Sequence, residues 1–93
     1  MTLPIGTVTV AQAGTPVAVV SSGHAVTAVS LKARPTNAGP VYVGDVTVSS
    51  ANGYRLEPGD ALTLSFRETV DLRRFHVDAD NSNDRLDFAG VAA

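Results

Sequence analysis

Three groups of residues have the types and spacing from which chemistry can be built. The densest is Asp78, Asp80, Ser82 and Asp84, with Asn81 and Asn83 between them. Oxygen-bearing side chains at every second position resemble the opening of a calcium loop, because hard cations gather several oxygen ligands. The rest of such a loop is missing. Asn83 stands where its turn glycine belongs, and Ala89 stands where its bidentate glutamate belongs. The reading adopted is a solvated hairpin loop whose Asp, Asn and Ser side chains bond their own backbone, with no bound metal.

The second group is the two histidines, His24 and His76. On a regular strand His76 and Asp78 share a face, which is the start of a metal or acid–base pair. No second histidine sits at ligand spacing, so the pair reads as a polar outer face with Phe75 and Val77 turned inward. The third group is Tyr42 and Tyr54, which can stack on a sugar or a peptide. Equally, such tyrosines cap a β core with the hydroxyl reaching water or backbone. The serines lie in no Gly-x-Ser-x-Gly turn, no glycine cluster opens a helix for phosphate, and there is no cysteine. No catalytic residue and no cofactor is expected.

The elements that would position these residues are strands. Turn signals stand at Asn37–Pro40, at Asn52–Gly53 and at Glu57–Asp60. Asn-Gly supplies positive φ cheaply, and Pro58-Gly59 suits the centre of a type II turn. Around them apolar and polar residues alternate: Val8 and Val10 against Thr7 and Thr9, then Val29, Leu31 and Ala33 against Ser30, Lys32 and Arg34. The cleanest case is Leu62, Leu64 and Phe66 against Thr63, Ser65 and Arg67. Shorter runs at Val17–Val20, Val41–Val43, Val46–Val48, Arg73–Asp78 and Leu86–Phe88 complete the pattern, with Glu68–Asp71 expected to turn the chain. Nowhere do apolar residues recur with helical period. The prediction is an all-β single domain over residues 1–93 with negligible helix. It is a sandwich or small barrel, jelly-roll-like, of seven to eight antiparallel strands. Its expected core is Val29, Leu31, Val41, Val43, Leu62, Leu64, Phe66, Phe75, Val77, Leu86 and Phe88.

Charge is distributed unevenly. Seven basic and nine acidic residues give a net charge of −2, and the basic residues are interleaved with acids, which argues against a nucleic-acid partner. Residues 1–31 contain no Asp, Glu, Lys or Arg. An exposed surface normally mixes both signs, so much of this third is expected to be covered. Residues 1–11 are therefore expected to form an arm or edge strand, with Ile5, Thr7, Val8, Thr9 and Val10 at an intersubunit contact. The competing reading is that residues 1–31 are central strands, which also lack charge. No run approaches the ~20 apolar residues of a membrane helix, and residues 1–20 lack a secretory leader's pattern. No membrane partner is expected, and synthesis is expected in a cytoplasm.

A family resemblance rests on three stretches: Asn37-Ala-Gly-Pro-Val-Tyr-Val-Gly-Asp45, Gly53-Tyr-Arg-Leu-Glu-Pro-Gly-Asp60 and Val70-Asp-Leu-Arg-Arg-Phe-His-Val77. Together, over about residues 26–88, they resemble small virion proteins of tailed bacteriophages. The resemblance implies a compact β domain without catalytic residues, carried on the virion as a capsid decoration (cement) protein or within a head fibre or tail. It implies the major capsid protein as partner, a homotrimer at local three-folds, and a structural role for Gly39, Gly44, Gly53, Pro58 and Gly59 in turns. The other function class is a small module binding a glycan or host surface through Tyr42, Tyr54 and the acidic loop.

Overall fold

Eight strands pair in two four-stranded antiparallel sheets in the computed structural model, which describes residues 4–92. They are β1 (Ile5–Val10), β2 (Val17–Ala18), β3 (Ala25–Ala33), β4 (Val41–Gly44), β5 (Tyr54–Leu56), β6 (Ala61–Asp71), β7 (His76–Ala79) and β8 (Asp84–Ala92). A single 3-10 turn, Leu72–Arg74, is the only helical element among the described residues. One sheet has the order β1-β8-β3-β6 and the other β2-β7-β4-β5. The chain is thus a long hairpin whose halves, β1–β4 and β5–β8, pair first with last and are wound over each other. That is the jelly-roll arrangement of two Greek keys. The sheets do not close into a barrel: β1 and β6 edge one sheet, β2 and β5 the other.

The core lies between the sheets. Val10, Val29, Leu31 and Leu86 come from one side and Val41, Leu56 and Val77 from the other, all at most 2 % exposed. Each such side chain contributes about 1.5–3 kcal/mol by leaving water. The alternation of β3 and β8 places these residues on one face. In register, Leu31 stands between Phe88 and Leu62, and Val29 between Gly90 and Leu64.

Four expectations need correction. Val17–Val20 does not form a full strand; only Val17 and Ala18 pair, with Val77 and His76. Val46–Val48 is a turn, because the Asp45 carboxylate accepts from both the amide and the hydroxyl of Thr47. Glu68–Asp71 does not turn the chain but extends β6 to Asp71, opposite Ala25. The alternation read across Arg73–Asp78 is broken by the 3-10 turn, which Asp71 caps by accepting from Arg73 N at 2.9 Å. That turn buries Leu72 completely. Val10, Val19, Val26 and Leu56 join the core as well, while Leu62, Leu64, Phe66 and Phe75 are only half-buried.

The glycines separate into two kinds. Gly59, after Pro58, has a φ of 91° and a vacant space where a Cβ would stand, so its need is conformational. Gly53 lies outside the left-handed region. Its need is space: a Cβ there would fall 2.6 Å from the Tyr42 Cβ. Gly39 and Gly44 likewise lie outside that region and pack against Asn81 and Val48.

Candidate interaction site

The acidic loop is a structural latch. Asp84, which starts β8, is 5 % exposed and accepts from Ala38 N at 2.9 Å and Gly39 N at 3.1 Å. Asn37 of the same segment clasps Arg85 from both sides, its Oδ1 accepting from Arg85 N and its Nδ2 donating to Arg85 O, each at 2.8 Å. Asp78 is equally buried and accepts from Gly14 N and Ala79 N. Ser82 Oγ accepts from Ala13 N, and Asn83, at a φ of 73°, donates its amide to Val10 O at 2.7 Å. Asn is one of the few residues that tolerates that conformation. Asp78 thus bonds its own backbone at Ala79, as expected of the loop, but neither it nor Asp84 is solvated. The two carboxylates also fasten other segments, Asp78 at Gly14 and Asp84 at Ala38 and Gly39.

The remaining candidates for chemistry do not converge. His76 and Asp78 do fall on one face of β7, opposite the core residue Val77. Asp78 is buried there with its Oδ1 taken by the Gly14 and Ala79 amides, and the His76 ring lies near Arg74 O. His24 lies near Ser22 Oγ at 3.5 Å. Among the described residues no group of three His, Asp or Glu is placed to hold a metal, and no helix is long and apolar enough to cross a membrane. Tyr42 is 4 % exposed and donates its hydroxyl to Asp80 Oδ2 at 2.9 Å, so its ring is not available for stacking. Burial first, and then the acceptor Asp80, push its phenol above the ordinary value. Tyr54, by contrast, is 60 % exposed.

The edges of the β1-β8-β3-β6 sheet are the most distinctive surface. Of the residues read as an interface, Ile5, Thr7 and Thr9 are exposed, Val8 is half-buried and Val10 is wholly inside the core. Residues 1–3 of the expected arm lie outside the described residues. Gly90 N donates to Pro4 O at 2.8 Å, and the register pairs Ile5 with Ala89. In an antiparallel ladder this turns the main-chain groups of Gly6 and Val8 towards β8. Those of Ile5, Thr7 and Thr9 point to the open side. The same reasoning applies to β6. Ala33 N donates to Asp60 O at 2.9 Å, so Leu62 and Leu64 bond β3, and Ala61, Thr63 and Ser65 face outwards. On the outer face, Thr7 and Arg34 both donate to Asp87 Oδ1, at 2.7 and 3.0 Å. Burial opposes ionisation of Asp87, yet these two donors hold its carboxyl below the usual range.

Beside β6 the two sheets part. A cleft of about 360 Å³ opens there, lined by Val43, Tyr54, Leu62, Leu64 and Phe75 together with Arg74. Sequence reasoning placed Leu62 and Leu64 in the core because their alternation is regular. It gave no sign that β6 would be an edge strand with no β5 partner across the gap.

No family model, curated protein or solved structure matches this chain.

Proposed function

We propose that the protein is a non-enzymatic structural component of a bacteriophage virion, a capsid decoration (cement) protein that binds the head as a symmetric oligomer. The observation that carries this reading is the β1 edge. It offers the main-chain groups of Ile5, Thr7 and Thr9 without a charge anywhere on the strand, within a third of the chain that has none. Natural edge strands are usually blunted by charges, prolines or bulges, and an unblunted one is suited to pairing with another chain. The partner on this reading is the major capsid protein, and copies sit as homotrimers at local three-folds. The resemblance of residues 26–88 to small virion proteins supports it. Jelly rolls also serve in viral capsids and in lectins, which is analogy of fold alone.

Direct imaging tests the proposal. Electron microscopy of the purified virion is expected to show copies at every local three-fold of the head, and Thr7→Lys with Thr9→Glu is expected to lower their occupancy. Copies confined to a fibre or tail would favour the second reading, a module that binds a glycan or host surface. What speaks for that reading is Tyr54, exposed beside an apolar cleft. A virion without the protein would discard both.

A further inference from the structure

We propose that a second copy of this chain is the partner of the β1 edge: β1 of one subunit adds antiparallel to the outer edge of β6 in the next. This extends the sheet head to tail from copy to copy. The inference rests on the reading of β1 as a contact edge and adds what it contacts within the oligomer.

Three observations support it. First, the four free edges are unequal. β2 and β5 have two and three residues, whereas β1 and β6 have six and eleven and lie on opposite sides of the same sheet. Short edges protect themselves; long ones invite pairing. Second, neither long edge is blunted where it matters. Ile5–Val10 and Ala61–Phe66 are six-residue stretches without charge or proline, and charge begins on β6 only at Arg67 and Glu68. Third, the geometry of an even-stranded sheet makes the two edges match. With four antiparallel strands, β1 and β6 run in opposite directions, so laying a translated or rotated copy alongside gives an antiparallel junction. The groups that point outwards also agree in face. Ile5, Thr7 and Thr9 on one edge, and Ala61, Thr63 and Ser65 on the other, all carry their side chains on the outer face. A sheet with an odd number of strands would fail both conditions.

The junction also settles which of two pairings the chain favours. Two β1 edges can pair about a two-fold axis, but that leaves the cleft along Leu62 and Leu64 open. Head-to-tail addition instead brings Val8 of the incoming strand to the inner face next to those leucines, covering apolar surface that one copy leaves wet. A contact of this type is heterologous, and it closes into a ring when the rotation between copies allows.

The experiment uses proline to block one edge at a time. The side chains of Thr9 and Ser65 make no hydrogen bond among the described residues, and both amides face the open side. Thr9→Pro and Ser65→Pro therefore remove a donor that the single subunit does not use. Sedimentation of the purified full chain across a wide concentration range is expected to show an oligomer. Each variant alone is expected to be a monomer. An equimolar mixture is expected to form a one-to-one dimer that grows no further, since one intact β1 edge and one intact β6 edge remain. If a proline variant melts early, Thr9→Lys and Ser65→Lys replace it, placing a charge in the ladder without touching the backbone. Three results would overturn the pairing: a chain that stays monomeric at every concentration, an assembly untouched by Ser65→Pro, or a mixture that remains monomeric. The two readings fail separately. A monomer in solution found at three-folds on virions sinks the edge pairing alone, whereas a head-to-tail oligomer missing from virions sinks the decoration role alone.

Discussion

β8 and β6 are the two strands flanking β3, and they look alike in sequence. Each alternates apolar with polar residues, and each has an aspartate at one end: Asp84 begins β8 and Asp71 closes β6. Their surroundings differ. β8 lies between β1 and β3, and Leu86 is wholly buried with Phe88 nearly so. β6 has β3 on one side only, and Leu62, Leu64 and Phe66 stay half-buried on the same inner face. The aspartates follow suit. Asp84 is buried against two main-chain amides, whereas Asp71 is held at the surface by Arg73 through a salt bridge of 2.8 Å. Alternation fixes which face a residue takes; neighbours on either side decide how deep it goes.

That contrast can be tested by paired substitutions. Leu86→Ala empties a site with no exposure and should cost about 2–5 kcal/mol in chemical denaturation. Leu64→Ala and Phe66→Ala should each cost clearly less than full burial implies, about 1–2 kcal/mol, since part of each side chain is already wet. Phe66 keeps a stacked contact with Phe75 at 5.9 Å between centroids, so it should be the costlier of the two. Equal losses on β6 and β8 would break the comparison.

Asp84→Ala should cost about 1–3 kcal/mol, because the amides of Ala38 and Gly39 lose their acceptor in a part-buried site. Asp84→Asn should fall in between, since it presents an N–H to one of two donors. Gly59→Ala should cost about 1 kcal/mol at the turn before β6, purely from the backbone, as no atom stands near its Cβ position.

The smallest effect is that of Asp71, and it shows in the pH dependence. Hydrogen bonds from the Arg73 side chain and amide lower its carboxyl to about 2. The folded value lies below the unfolded one, so the unfolded chain takes up the proton first. The contribution of Asp71 is then whole above the ordinary carboxyl value near ~3.9 and is lost as pH falls through about 2. Melting curves of Asp71→Asn should therefore sit slightly below the parent at neutral pH and converge with it at the acid end. Added salt should shrink the gap. Millimolar calcium should leave the melting temperature unmoved, because an ion that bound only the native state would raise it; a rise of several degrees would recast the Asp78–Asp84 latch as a binding loop.

What the sequence made legible was periodicity and punctuation. Strand class, the sharp turn at Gly59 and the inward faces of β3 and β8 all follow from local chemistry. Three features hid for physical reasons. Val46–Val48 has strand-like composition, but the Asp45 carboxylate competes for the backbone and turns it. Leu72 was masked because a 3-10 turn carries a period unlike that of the strands around it. The latching of Gly14 by Asp78 and of Ala38 and Gly39 by Asp84 joins positions 45 to 64 apart in sequence, which no local pattern reports. The missing charges of residues 1–31 did not separate edge from centre, since that stretch covers β1 at the edge of the sheet and most of β3 inside it. Strand order tells the two apart, and it also decides the cleft beside β6.

The placement of β8 also governs when the protein can fold. Among the described residues β1 is the first strand, yet it pairs in the sheet with β8, the last, and Thr7 bonds Asp87 across 80 positions of sequence. As the chain is synthesised, β1 must wait until residues 84–92 have emerged before its backbone is satisfied. Ala28 and Leu31 can meet β6 earlier, but the centre of their sheet stays vacant until the same moment. Such closure over long sequence distances makes folding slow among small domains. During that wait an uncharged, β-prone strand is unpaired in a crowded compartment. Truncation of β8 is therefore expected to lower the yield of folded protein steeply, as measured by soluble expression, because the first strand is then left without its ladder.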